Sequence, residues 1–409
     1  MKLRQAPLRI AMATSSLHRA GAEKQFVYMA RALHAAGVDL RVFYLGTGGF
    51  YEKALRSIGI PVFDLSHNNQ PFRILWAMIR AQLAFRPHIM MAGQFGDVIH
   101  AGIAGRVSGA LTIAGVRSDG FWEMNTYRRR IWLMRRLPQA LVANSYKARE
   151  NLSSLGINPQ CVKILTNVID LQDFDSRSAQ PISIPVEPGR IVVAAIGRLN
   201  RDKRFDRVLD AVALARNSVP PVTCLIVGKD RGAKAPLEER ARALGLLRDR
   251  LVFMGESDNV PALLKQSHML LHSSDYEGFP NTILEAMAAR LPVITTPAGD
   301  APRLVENGRT GYVVDFDDTN GMGERILQLA RSAELRRQLG EAGRQRVEEH
   351  HSFPRLSNRL FGIFHTLAVQ QQRKVLLPIL KQFRGAEELS PASPDLYDSC
   401  RHGGRPLTR

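Results

Sequence analysis

The chain has 409 residues, 45% of them hydrophobic, and a formal net charge of +18. That length suggests two domains or three, with cores of ordinary size. Three scattered cysteines, Cys161, Cys224 and Cys400, argue against a disulfide framework or a cysteine-built zinc site, and no window holds the roughly 18 uncharged apolar residues of a membrane-spanning helix. The basic N-terminus, Met1 to Arg9, is not followed by a signal-peptide core, so cytosolic conditions fit best. The charge is uneven: residues 1–180 carry 23 Lys+Arg against 11 Asp+Glu, and the remainder 33 against 27. Such a field favours an anionic partner, whether phospholipid headgroups, a pyrophosphate-linked lipid or nucleic acid.

In chain order, a buried strand is predicted over 8–13 and an amphipathic helix over 22–37, with Phe26, Met29, Ala30 and Leu33 on one face. Strands follow at 39–45, 61–65, 88–91, 110–117 and 140–144, with helices at 51–58 and 71–85. This alternation indicates a parallel sheet wrapped by helices. Residues 176–189, with Pro181, Pro185 and Pro188, break the pattern and read as a linker. A second series has strands at 190–196, 222–227, 251–254, 269–272 and 292–295, with helices at 204–217 and 236–244. The fold class is therefore α/β, two doubly wound domains in tandem, 1–178 and 179–352. Their ligand site belongs at the carboxyl ends of the strands, facing the cleft. From 371 to 409 the chain reads as a basic, disordered tail.

The densest chemistry lies in Ser273-Ser274-Asp275-Tyr276-Glu277-Gly278-Phe279-Pro280-Asn281-Thr282-Ile283-Leu284-Glu285. Two carboxylates stand eight positions apart across a Gly-Phe-Pro turn. Glu277 precedes the turn, and Glu285 lies about one turn inside the following helix, which Pro280 opens with Asn281 or Thr282 as cap. The free N–H groups of that helix suit an anion, and Gly278 lets the anion approach the backbone. A nucleotide diphosphate-sugar needs such an anion site between two hydroxyl acceptors. The strand at 190–196 ends in Gly197-Arg198-Leu199-Asn200-Arg201-Asp202-Lys203, where Arg198 as a fork and Lys203 as a point charge can converge on one diphosphate, the alternative for the pair alone being a solvated loop.

At the start of the chain, Gly21 and Ala22 permit close approach to a helix N-terminus. Glu23 there is either a substrate contact or a helix-dipole acid worth roughly 0.5 kcal/mol, and His18 either a substrate contact or an exposed loop residue. Gly46-Thr47-Gly48-Gly49 lacks the spacing of a dinucleotide loop and reads as a turn. Gly102, Gly105 and Gly109 read as close helix packing.

With these segments in place, the sequence resembles the retaining GT-B glycosyltransferases of glycosyltransferase family 4, over roughly residues 8 to 370. Further matching segments are Gly21-Ala22-Glu23, Asn144-Ser145, Asn167-Val168-Ile169-Asp170, Phe253-Met254-Gly255 and Glu306-Asn307-Gly308. The resemblance implies that Arg198 and Lys203 bind the donor diphosphate, that Glu277 contacts the transferred sugar and Glu285 the ribose, and that the backbone from Gly278 through Phe279 and Pro280 to Asn281 holds phosphate and sugar oxygens. Phe253 and Met254 would lie beside the base, UDP- or GDP-linked, and Gly197, Gly21 and Ala22 would shape the phosphate loops. No metal or other cofactor is implied: two cations and a helix N-terminus supply the charge stabilisation. A C-terminal helix over 353–370 is expected to return to the first domain. The sequence departs from the family where a histidine often stands near the reacting sugar: Arg117-Ser118-Asp119-Gly120 has none, and Asp119 or Arg117 is the substitute, with Asp119 taken as catalytic.

Arg117, Arg128, Arg129, Arg130, Arg135, Arg136, Lys147 and Arg149 interleave with Phe121, Trp122, Tyr127, Trp132 and Leu133, and Trp76, Arg73 and Arg80 join them. That mixture suits a membrane interface. The expected protein is a cytoplasmic enzyme at the inner face of the membrane that moves a sugar from a nucleotide-sugar onto a cell-envelope glycan or lipid-linked acceptor. Alternatives are an epimerase or phosphorylase on the same fold, a non-catalytic sugar-nucleotide-binding subunit, or a basic nucleic-acid-binding protein; no RNA-binding motif is present.

Overall fold

A computed structural model describes residues 7–66, 70–128, 131–246 and 250–383. The first sheet contains β1 (Arg9–Ser16), β2 (Asp39–Thr47), β3 (Val62–Asp64), β4 (Ile89–Ala92), β5 (Leu111–Val116), β6 (Ala140–Ala143) and β7 (Val162–Ile164), in the order β3-β2-β1-β4-β5-β6-β7. The second contains β8 (Ile191–Ile196), β9 (Val222–Val227), β10 (Leu251–Gly255), β11 (Met269–His272), β12 (Val293–Thr295) and β13 (Gly311–Val313), in the order β10-β9-β8-β11-β12-β13. Every pairing is parallel. The central strands are apolar on both faces, as helices on both sides demand: Ile10, Ala11, Met12 and Ala13 of β1, and Val192 to Ala195 of β8, are all buried.

On one face of the first sheet the helices Gly21–Ala35 and Leu356–Gln370 bury Phe26, Leu33, Phe361 and Phe364. On the other, Pro71–Phe85 and Val98–Val107 bury Met78, Val98 and Ala101. Each sheet reverses its strand order at its first strand, β1 between β2 and β4, and β8 between β9 and β11. Loops that leave such a point diverge and leave a crevice. Among the described residues, no helix is long and apolar enough to cross a membrane.

Three features differ from the sequence reading. β7 and β13, of three residues each, were not anticipated. The domain boundary at 178 falls too late. Helix Leu171–Ser178 packs Phe174, with Ile169 before it, into the second domain's core beside Leu263 and Leu284. Ile182, Ile184 and Val186 of the expected linker lie against the same core, an alternation hidden among prolines. The tail is also not disordered from 371. Helix Leu376–Leu380 buries Leu376, Ile379 and Leu380 in the first domain, and Phe383 stacks on Phe361 with ring centroids 4.3 Å apart. The remainder of that tail, and Arg129 and Arg130, lie outside the described residues.

Candidate active site

The loops that leave the neighbouring strands β8 and β11 are bonded to each other. The Asp275 N–H donates to the Asp202 carbonyl at 2.9 Å, and the Ser273 hydroxyl reaches the carbonyls of Lys203 and Arg204, both at 2.8 Å. Arg204 and the buried Arg207 both bond the Asp275 carboxylate. This frame brings the Lys203 ammonium onto Glu277 Oε1. The same oxygen accepts the Ser274 hydroxyl at 2.9 Å and faces His272 Nε2 at 3.1 Å, while His272 Nδ1 lies 3.0 Å from Thr295 Oγ1. Burial alone would raise the Glu277 carboxyl; Lys203 and His272 outweigh it and hold it far below the usual carboxylate range. Among the described residues, no donor is bonded to Oε2, so one oxygen is anchored and the other is open.

The chain then turns through Gly278 to the helix Asn281–Ala288. Neither Asn281 nor Thr282 caps it: Pro280 occupies the cap position without a side-chain bond. Asn281 is the first helical residue, and its Oδ1 accepts the Asn167 amide at 2.8 Å. The first-turn N–H groups have no intrahelical partner and carry the positive end of the dipole. Phe279 is buried, its ring 5.3 Å from that of His351, so only its backbone is available to a ligand. Arg198 is exposed and bonds no described residue through its side chain. Phe253 lines a cavity of about 240 Å³ with Leu199, Gly228 and Gly255. Met254, its neighbour in β10, packs into the core on the opposite face, because consecutive strand residues alternate.

The first domain closes over this segment. A Cβ on Gly278 would lie 2.5 Å from the Ser118 carbonyl oxygen and 2.9 Å from Asn144 Oδ1, so the glycine is required for contact between domains. A Cβ on Gly21, which opens Gly21–Ala35, would lie 2.7 Å from Asn281 Nδ2. Lys24 Nζ is 3.0 Å from Glu285 Oε1. Asp300 accepts the N–H groups of Tyr146 at 2.9 Å and Lys147 at 3.0 Å, so a carboxylate of one domain caps a helix of the other. Burial pushes the Asp300 carboxyl up to about 6, against the pull of those two bonds.

Other residues of the sequence reading have different tasks. Glu23 faces into the first domain, accepting the Ser16 hydroxyl at 2.9 Å and the Gln94 amide at 3.2 Å. His18 is exposed and meets Thr47 Oγ1 at 2.7 Å. The Asp119 carboxylate is taken by its own turn, accepting the Trp122 N–H at 2.9 Å. Ser118, not Asp119, is the member of that loop that meets Gly278. Burial lowers Arg117 to about 10, and its guanidinium reaches the Gly93 carbonyl. Glu123, which the sequence reading missed, organises the loop: it accepts the N–H groups of Arg117, Ser118 and Gly120. Its position three residues after Gly120, at a helix start, is the one available signal. His272, Lys24 and Asp300 were missed too, and only Lys24 had a cue, one helical turn after Gly21.

A second cavity, about 220 Å³ and lined by Glu306, Arg309, Arg346 and His350 among others, shares none of these site residues.

Comparison with known proteins follows the same division. The model of the glycosyltransferase family 4 matches residues 19–173, and that of glycosyl transferases group 1 matches residues 176–346. Similar proteins include the N-acetyl-alpha-D-glucosaminyl L-malate synthase of Bacillus anthracis, 35% identical over 119 residues, 29% of this chain and 31% of that protein. The lipopolysaccharide core biosynthesis mannosyltransferase LpsB of Rhizobium meliloti is 28% identical over 170 residues, 38% of this chain and 48% of that protein. The match thus spans less than half the length of either relative. Anabaena Alr3699/HepE, solved in complex with UDP and glucose, superposes with a TM-score of 0.74 at 19% identity, over 87% of this chain and 99% of that one. This likeness concerns the fold. Two models that divide a two-domain architecture between them cover most of the sequence, and the chain belongs to the GT-B glycosyltransferases of group 1 and family 4.

Proposed function

We propose that the protein is a retaining glycosyltransferase that moves a sugar from a UDP- or GDP-linked donor to a cell-envelope glycan or lipid-linked acceptor, without a metal. The observation that carries this is the half-anchored Glu277: Lys203 and Ser274 donate to Oε1 and His272 Nε2 faces it, which leaves Oε2 to accept a sugar hydroxyl. Lys203 beside it, the exposed Arg198 of the loop after β8 and the N-terminus of Asn281–Ala288 would receive the diphosphate and stabilise the leaving group. Phe253 and its cavity would take the base, and Glu285 the ribose. Relatives named for lipopolysaccharide core and capsular polysaccharide biosynthesis support the acceptor class, and the UDP complexes of Anabaena Alr3699/HepE support the donor class.

The acceptor side points to an anionic membrane at the cytoplasmic face. One face of the first sheet carries exposed Phe72, Trp76 and Trp132, with Arg73 and Arg80 beside the first two and the Arg136 guanidinium 4.7 Å over the Trp132 ring. Rings and arginines so arranged suit an interface of headgroups and acyl chains.

The test is incubation with a panel of UDP- and GDP-sugars and envelope acceptors, with product anomers read by NMR. Transfer with the donor's anomeric configuration is the expected result. An inverted product, or an epimerised donor without transfer, defeats the proposal. Flotation with anionic vesicles at physiological salt tests the membrane part, which fails if the protein stays at the bottom.

A further inference from the structure

Glu285 is held by a residue of the opposite domain to which the donor reading gives no task. Lys24 Nζ lies 3.0 Å from Glu285 Oε1, with the two side chains only 24% and 20% exposed. The pair is one of two matched contacts. Gly21 and Lys24 are about one turn apart on Gly21–Ala35, Asn281 and Glu285 about one turn apart on Asn281–Ala288, and Gly21 meets Asn281 as Lys24 meets Glu285. The opening turns of two helices from different domains therefore lie face to face. Burial opposes the charge on Lys24, but Glu285 outweighs it and raises the ammonium above its ordinary value. Only Oε1 of Glu285 is engaged; among the described residues, Oε2 is bonded by no donor.

We infer that Lys24 is a positioning residue for recognition of the donor's ribose. It fixes the Glu285 side chain when the cleft is closed, so that Oε2 is presented to a hydroxyl of the sugar ring. This rests on the reading above, in which Glu285 accepts from the ribose. A free glutamate loses its side-chain freedom when a hydroxyl binds; a glutamate already paired has lost it beforehand, and that preorganisation appears as affinity. Because the ammonium and the carboxylate belong to different domains, the ribose is read at full strength only in the closed cleft.

The test is calorimetric titration of UDP and GDP, and of their 2′,3′-dideoxy forms, into the wild type, Lys24→Met, Lys24→Arg, Glu285→Gln and the double variant Lys24→Met/Glu285→Gln. A hydroxyl bonded to a charged acceptor is worth about tenfold or more in affinity. The wild type is expected to prefer the ribo form by at least about tenfold. Lys24→Met loses most of that preference while its dideoxy affinity is unchanged, Lys24→Arg keeps it, and the double variant loses no more than Glu285→Gln. Melting of the nucleotide-free proteins should be non-additive for the same pair. A Lys24→Met protein that keeps the full preference, or that loses ribo and dideoxy affinity equally, overturns the inference alone. A wild type that binds both forms alike removes Glu285 from the ribose and refutes the inference with it. A wild type that binds no nucleotide refutes the donor reading itself.

Discussion

Lys203→Met removes the strongest partner of a largely buried carboxylate. The side chains of Lys203 and Glu277 are 20% and 15% exposed, and Ser274 and His272 remain as partners. Removing one member of a fully buried pair costs about 3–5 kcal/mol; the remaining partners and the residual exposure bring the expected cost to about 2–3 kcal/mol. Lys203→Met/Glu277→Gln removes both charges and keeps the shape, at about 1 kcal/mol, so a double-mutant cycle should give a coupling of at least about 1–2 kcal/mol, to which the cost of Glu277→Gln alone is added. In a domain of this size 1 kcal/mol moves Tm by about 2–4 °C. Calorimetry should therefore show the second domain's transition lowered by about 4–12 °C in Lys203→Met and partly restored in the double variant. The pH dependence has a definite sign. The folded Glu277 carboxyl lies below its unfolded value of 4.5, so its contribution is present above that value and is lost as pH falls toward the depressed one. Lys203→Met lessens the depression, so its deficit is full at neutral pH and narrows below about 4.5. An unchanged Tm with an additive cycle would show that the pair does not form in solution.

Three further outcomes follow from the geometry. Gly278→Ala puts a methyl 2.5 Å from the Ser118 carbonyl oxygen, so kcat/KM should fall by about 100-fold or more and small-angle scattering should report a larger radius of gyration; an unchanged radius contradicts closure at this contact. Arg198→Ala, at an exposed residue, should weaken donor binding about tenfold and leave Tm unaltered; a large loss of stability would assign Arg198 to the fold. The folded Asp300 carboxyl sits at about 6 against an ordinary 3.8, so between those values the native state keeps a proton that the unfolded chain has lost. Wild-type stability should then fall as pH rises from about 4 to 6, by at most roughly 3 kcal/mol, and the Asp300→Asn protein should lack that slope; parallel stability curves would reject the assignment.

What the sequence disclosed depended on range. The apolar runs of β1, β8 and β11 identify themselves, because strands covered on both faces need no alternation. The two halves of the Lys203–Glu277 pair were legible because each closes a strand of the same sheet, and adjacent strands bring their following loops together. Contacts between domains were not legible. Nothing local marks Asp300 as the acceptor for the first two N–H groups of the helix Tyr146–Ser154, or the missing Cβ of Gly278 as room for the Ser118 carbonyl. The first-domain loop misled for a related reason. Asp119 and Glu123 are both acidic residues beside a glycine turn, and only the fold shows that one serves a helix start and the other three backbone N–H groups. Asn281 looked like a cap because its residue type caps well, but its side chain is committed to Asn167 across the cleft.

The central claim is that a nucleotide diphosphate-sugar lies across Arg198, Lys203, Glu277 and the N-terminus of Asn281–Ala288. Titration of UDP- and GDP-sugars into the purified wild-type protein tests it most directly. Saturable one-to-one binding is expected for one base, in the micromolar range typical of enzyme substrates, and Arg198→Ala should weaken it while the fold persists. Failure of every nucleotide-sugar to bind below millimolar concentrations, or binding indifferent to Arg198, would contradict it.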